Sequence, residues 1–257
     1  MANHLALVLP KLVGKEQCDF VKGRKIQEAI ILAHELVRDF NNPKNPTMAL
    51  KIDIRKAYDS ISWDGFFHPE RGLRQGCPLS LILFTLITEL FSTLVADAVQ
   101  RKELVVLKSM AKYQQPISHL FFADDVILAC EASIHNFTVL EGIFRRFESV
   151  TGLQINHGKS RVLFSRALRR RHVLLQVLKC AEDDFPIKYL GLPLSPARLK
   201  RVQCKDLLDK IIKKIVCLNT KLHSLSGRLE LLRAVITPIF QYWCCIYDIP
   251  VAILNQI

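Results

Sequence analysis

Three carboxylates are the side chains of this sequence best suited to chemistry: Asp53 and the adjacent pair Asp124 and Asp125. Acids gathered at one spot repel each other unless a cation lies between them, and an oxygen-only ligand set suits Mg²⁺. Two such ions about 4 Å apart activate an attacking oxygen and stabilise a leaving one in phosphoryl transfer. An Asp-Asp turn alone is ordinary, because Asp favours turns for local hydrogen-bonding reasons. The setting distinguishes this one. Phe121, Phe122, Val126, Ile127 and Leu128 flank it with two apolar runs, which predicts a hairpin with buried strands and acid at its tip.

Asp53 must come from another element. Leu50, Ile52 and Ile54 alternate with Lys51, Asp53 and Arg55, which predicts a half-buried strand over 48–55 with Asp53 on its open face. If this strand pairs beside the hairpin, the three carboxylates converge. Helices are expected to support them. One spans 25–39, and another spans 78–100 with an apolar face of Leu83, Phe84, Ile87, Leu90, Phe91, Leu94 and Val95. A third spans 138–150 and is stopped by Gly152. Short strands or loops follow at 153–156, 162–164 and 189–194, then helices at 205–218 and 227–240. The expected class is α+β, with helices dominating the last third.

The 257 residues are 50% apolar and 23% charged, with a net charge of +12, which excludes disorder, fibres and disulfide scaffolds. Eight cysteines show neither a C-x-x-C pair nor zinc-ligand spacing, so reduced thiols and an intracellular setting are expected. Residues 159–233 hold 18 Lys and Arg against 6 Asp and Glu, and so carry the whole excess. Such a block is either a solvated helical face or a surface that neutralises nucleic-acid phosphates. Residues 234–254 are long enough to cross a bilayer, but Pro238, Gln241, Asp248 and Pro250 point to a buried helix with a Pro-terminated exit. No signal peptide, membrane span or membrane partner is expected.

Five motifs occur in a fixed order. They are Lys51-Ile-Asp-Ile-Arg-Lys-Ala-Tyr-Asp59, Gly72-Leu-Arg-Gln-Gly-Cys-Pro-Leu-Ser80, Phe122-Ala-Asp-Asp125, Thr151-Gly-Leu-Gln-Ile-Asn156 with Lys159, and Tyr189-Leu-Gly-Leu-Pro193. The sequence resembles the reverse transcriptases of plant LINE-type (non-LTR) retrotransposons from about Gln17 to Tyr247. That range includes Phe20-Val-Lys-Gly-Arg24 and Leu225-Ser-Gly-Arg-Leu229. The resemblance implies a right-hand polymerase fold, with partial fingers at 1–47, a palm at 48–194 and a helical thumb or connection at 195–257. It implies an RNA-directed DNA polymerase that adds deoxynucleotides to a DNA primer 3′-hydroxyl along an RNA or DNA template.

Roles follow by position. Asp53 and Asp124 would hold two Mg²⁺ ions, or Mn²⁺, with Asp125 assisting and Ile54 lending its carbonyl. Lys159 would protonate the leaving pyrophosphate. Tyr58, Arg24, Gln75 and Gly76 would meet the nucleotide, with Tyr58 rejecting a 2′-hydroxyl. Tyr189, Leu190, Gly191 and Arg228 would touch primer and template. Arg169-Arg-Arg171 could assist nuclear entry.

The chain departs from the family pattern in two places. Cys77 stands where an Asp commonly caps the following helix. Only about eight residues separate Trp63 from Gly72, a span that reaches up to about 28 Å but replaces several tens of residues in the family. Together with an N-terminus inside the fingers and no upstream endonuclease, this implies an internally deleted, truncated copy. The alternative readings are a catalytically inactive nucleic-acid-binding remnant and a pseudogene product. Cyclase-like palms also pair strand and hairpin carboxylates, but they leave the 72–76 turn and the 189–193 segment unexplained.

Overall fold

The computed structural model describes residues 2–42, 46–55, 72–74, 76–107, 117–168, 171–178, 180–217 and 224–256. The chain opens with α1 (Ala2–Leu12), α2 (Ile26–Val37), β1 (Thr47–Arg55) and the long α3 (Pro78–Gln100). The hairpin β2 (His119–Phe122) and β3 (Asp125–Glu131) comes next, followed by α4 (Ile134–Thr151), β4 (Gln154–Ile155) and β5 (Arg161–Phe164). After α5 (Arg171–Leu178) and β6 (Ala181–Glu182), a second hairpin forms from β7 (Ile187–Tyr189) and β8 (Leu192–Leu194). The last part is helical: α6 (Lys205–Cys217), α7 (Leu225–Leu231), α8 (Thr237–Cys244) and α9 (Val251–Leu254).

The main sheet has the order β2-β3-β1-β5-β6, and β4 pairs with the end of β1. Its ladders are antiparallel except for β5 with β6. This mixed helix and sheet chain, with a mostly antiparallel sheet, is the α+β class expected from the sequence.

β1 is more deeply placed than its alternation suggests. Met48, Ala49 and Leu50 are at most 1% exposed, and the in-out pattern begins only at Lys51. The cause is cover on both faces. Met48, Leu50, Ile52 and Ile54 pack with Phe84, Phe91 and Val95 of α3 and with Phe137, Leu140 and Phe144 of α4. Ala49, with Ile127 and Leu120, packs against Ala29, Ala33 and Leu36 of α2 and against Tyr189.

α3 is the one helix among the described residues long and apolar enough to cross a bilayer. Its buried stripe is rotated from the expected face. Phe84, Thr88, Phe91 and Val95 are buried, whereas Leu83, Ile87, Leu90 and Leu94 sit at the margin. Thr85 and Thr88 can turn inward because each bonds locally: Thr85 Oγ1 donates to Leu81 O at 2.9 Å and Thr88 Oγ1 to Phe84 O at 3.1 Å.

α4 starts four residues earlier than expected. Ser133 Oγ accepts from the Asn136 amide at 3.2 Å, an N-cap, and the buried Asn136 broke the apolar period of that first turn. Gly152 ends the helix as expected, at φ 74.

The 225–244 stretch is helical beyond its expected bounds, with a π segment over Leu232–Ile236. Pro238 has no N–H to give, and the Thr237 amide reaches back to Leu232 O, five residues away. The expectation of a buried helix here fails. Ile236 and Trp243 face inward against α2 and α6, while Cys244 and Cys245 are exposed.

Candidate active site

β1 and β3 pair so that Asp53 lies opposite Asp125. Directly opposed residues share a face of the sheet, and Lys51, two residues back, shares it too. Asp124 is the exposed residue of the turn, preceded by Ala123 at φ 54. Buried Phe121 and Val126 anchor the strands on either side of that turn.

Charge around the pair is mixed. Lys51 Nζ lies 3.7 Å from Asp125 Oδ1 and donates to Lys188 O at 2.9 Å, which ties the acid to the β7–β8 hairpin. Burial pushes the Asp125 carboxyl up, the Lys51 ammonium opposes this, and the charges of Asp124 and Asp53 add to the rise. Asp19, in the segment laid beside β2 through the Gln17 and Phe121 bridge, is also pushed up by burial, with Asp124 contributing. The sequence reading missed both Lys51 and Asp19.

The backbone of Asp53 is braced from β4 and β5. Its amide donates to Ser160 Oγ at 3.1 Å, and its carbonyl accepts from the Asn156 amide at 2.8 Å. Lys159 belongs to the same turn, with its amide on Asn156 O at 3.1 Å and its side chain exposed. The donor chemistry of Asp53, Asp124 and Asp125 fits a hard divalent ion. Among the described residues, however, no set of three or more His, Cys, Asp or Glu is gathered tightly enough to hold a metal. The Lys51 ammonium is the cation beside Asp125.

The other expected site residues are placed as follows. Tyr58, Gln75 and the 63–71 junction lie outside the described residues. Gly76 is exposed at φ 83, and a Cβ there would meet nothing within 4 Å, so the turn needs its backbone freedom and not its small size. Cys77 occupies the N-cap of α3 without a side-chain capping bond, and the amides of Leu79 and Ser80 pull its thiol pKa down. Ile54 turns its side chain into the core.

The Arg24 guanidinium is engaged by the carbonyls of Val13, Gly14 and Gln17. Tyr189 is 1% exposed and its hydroxyl has no partner among the described residues, so only its backbone can reach a primer. Leu190 and Gly191 form the hairpin tip at φ 47 and 82, the pair of left-handed residues such a turn favours. Two C-terminal side chains fasten this tip: Tyr242 Oη donates to Leu190 O at 2.7 Å and Lys210 Nζ to Gly191 O at 3.2 Å. Arg228 is exposed on α7.

The turn into α3, the double-Asp hairpin and the β7–β8 hairpin all fall within residues 65–194, which match the family described as reverse transcriptase (RNA-dependent DNA polymerase). The chain belongs to this family. Reverse transcriptases copy a nucleic-acid template onto a primer from deoxynucleoside triphosphates and generally use divalent metal ions. The reverse transcriptase match takes in Asp124 and Asp125 and begins after Asp53. The chain is also similar to an uncharacterized mitochondrial protein of Arabidopsis thaliana, 44% identical over 61 residues, or 24% of this chain and 49% of that protein. It therefore spans about half the length of this curated relative.

Proposed function

We propose that this chain is the palm and thumb of a non-LTR, plant LINE-type reverse transcriptase that extends a DNA primer by two-metal phosphoryl transfer. The register that sets Asp53 opposite Asp125, with Asp124 at the adjoining turn, carries the reading. Asp53, Asp124 and Asp125 would hold Mg²⁺, whose chemistry is to activate the 3′-hydroxyl and neutralise the phosphates. The Ser160 and Asn156 bonds fix the height of Asp53 on its strand. Lys51 links Asp125 to the Lys188 carbonyl of β7, in the hairpin whose tip would meet the primer end. The exposed Lys159 is the side chain that would deliver a proton to pyrophosphate.

One observation favours a second reading, a remnant that binds nucleic acid without catalysis. The three acids do not form a closed ligand set, and an ammonium lies against Asp125. Primer extension on a homopolymer template with Mg²⁺ separates the two. Under the first reading the chain adds nucleotides and an Asp124→Ala variant does not. Equal extension by that variant overturns the assigned site. Salt-sensitive binding without extension establishes the remnant.

A further inference from the structure

Within the segment Phe20-Val-Lys-Gly-Arg24, Arg24 is turned inward and Phe20 is left out. The Arg24 guanidinium gathers the carbonyls of Val13, Gly14 and Gln17, and its amide donates to Val21 O at 3.2 Å. Val21 is buried with Leu9, Val13 and Ile82. On the other side Gln17 is buried too, with its Nε2 donating to Thr88 Oγ1 at 2.6 Å. Phe20 lies in the chain between these anchors, is 37% exposed and belongs to none of the apolar clusters. Its backbone is left-handed, at φ 56, a conformation that bulky side chains rarely adopt and that persists only where the surroundings impose it. A glycine would adopt it freely. Packing does not account for a large ring held there and turned to solvent.

The same segment runs toward the Asp124 turn. The Cys18 amide donates to Phe121 O at 2.9 Å and the Phe121 amide to Glu16 O at 2.8 Å, which pairs Gln17 with Phe121 in parallel. Three residues further along each chain come Phe20 and Asp124. The Asp124 charge also contributes to the rise of the Asp19 carboxyl, so these two acids lie within electrostatic reach of each other. Next to Phe20 in the chain, Lys22 and Lys25 are exposed, and neither forms an ion pair with a described residue.

An exposed aromatic ring with free ammonium groups beside it suits single-stranded nucleic acid, because the ring stacks on a base and the cations meet the phosphates. We infer that Phe20 is a stacking platform for an unpaired base of the template strand beside the Asp124 turn, with Lys22 and Lys25 taking phosphates of that strand. The inference rests on the reading above that the chain binds a primed template. A free deoxynucleoside triphosphate carries the same kinds of ring and charge, and the test separates it.

The full chain is titrated with a blunt duplex and with the same duplex carrying a single-stranded 5′ overhang, and fluorescence anisotropy reads the affinity. The overhang is expected to bind more tightly, and an abasic residue at its first unpaired position is expected to remove the gain. Phe20→Ala is expected to lose roughly tenfold on the intact overhang, the worth of one stacked base, and nothing on the blunt duplex, while Phe20→Trp keeps the parent affinity. Replacing both Lys22 and Lys25 by Ala should make the salt slope on the overhang shallower by about 1.4, the single-strand value for two phosphates. Phe20→Gly should melt no lower than the parent, since relief of a left-handed phenylalanine offsets the freedom that glycine adds to the unfolded chain. Equal binding of overhang and blunt duplex, or an overhang affinity unaltered in Phe20→Ala, overturns the inference and leaves the reading of a template-binding chain standing. So does loss of the overhang's advantage to a free deoxynucleoside triphosphate, which would assign the ring to the nucleotide, or a lower melting temperature in Phe20→Gly, which would make the ring structural. A parent that binds neither duplex overturns both.

Discussion

Asp125 receives opposing influences from its neighbours, and each can be removed in turn. Burial, Asp124 and Asp53 raise its pKa, and Lys51 lowers it. In Asp53→Asn the Asp125 carboxyl should titrate at lower pH than in the parent, and in Lys51→Met at higher pH, both read from carboxyl ¹³C shifts. Movement in the same direction in both variants contradicts the described geometry. His119 gives a residue-scale effect on stability. Burial lowers its pKa from 6.5 to about 3, so between those values the unfolded chain binds a proton that the folded chain refuses. Its contribution is present above pH 6.5 and is lost as pH falls, by about 2 kcal/mol at pH 5. His34 is shifted the same way by burial, whereas Asp19, Glu89 and Asp125 are raised and act with the opposite sign. A His119→Phe variant keeps a ring against Phe91 and Phe121, so comparison with the parent isolates this effect. Urea titrations at pH 7.5 and pH 5 should show the variant losing about 2 kcal/mol less stability over that interval.

At the scale of elements, Asn136 reinforces the junction of the segment after α3 with the end of β3, which the Val106 and Cys130 bridge also joins. Its Oδ1 accepts from the Val105 amide at 3.1 Å, and its Nδ2 donates to Val105 O at 3.1 Å and Glu131 O at 2.8 Å. Asn136→Ala strands the Val105 amide, while the Val105 and Glu131 carbonyls keep the amides of Glu131 and Ser133 at 3.0 and 3.1 Å, and should cost about 2 kcal/mol in chemical denaturation. A loss within experimental error of zero would show that water replaces the amide without penalty. The same residue shows what was legible in the sequence. α2, β1, α3 and the Asp124 hairpin were readable because apolar spacing and turn residues are local signals. The first turn of α4 was not, because a buried Asn looks like surface. The in-register meeting of Asp53 with Asp125 was anticipated only as a condition on strand pairing. Its supports escaped altogether. Lys51 bonds to Lys188 O, 137 positions away, and Tyr242 to Leu190 O, 52 positions away; a carbonyl acceptor leaves no mark in residue type.

For the molecule as a whole, the question is where its positive charge lies relative to the site. The excess sits in residues 159–233, the part that includes the β7–β8 hairpin and α6. α6 presents Lys213 and Lys214 to solvent, while Leu207 and Ile211 anchor its other face against Ile30, Leu192 and Trp243. Lys210 on the same helix holds the Gly191 carbonyl, so the basic surface and the hairpin tip are mechanically one unit. A nucleic-acid backbone lying along α6 would thus be registered against the β7–β8 hairpin, whose Lys188 carbonyl Lys51 bonds beside Asp125. Binding to a duplex should then weaken linearly on a plot of log affinity against log salt, with a slope near −0.9 for each phosphate neutralised. Replacing both Lys213 and Lys214 by Ala should make that slope shallower by roughly 2 without changing the melting temperature, since neither side chain is packed. Fluorescence anisotropy across a salt series reads this directly. An unchanged slope would remove α6 from the interface and leave the basic block as a solvated face.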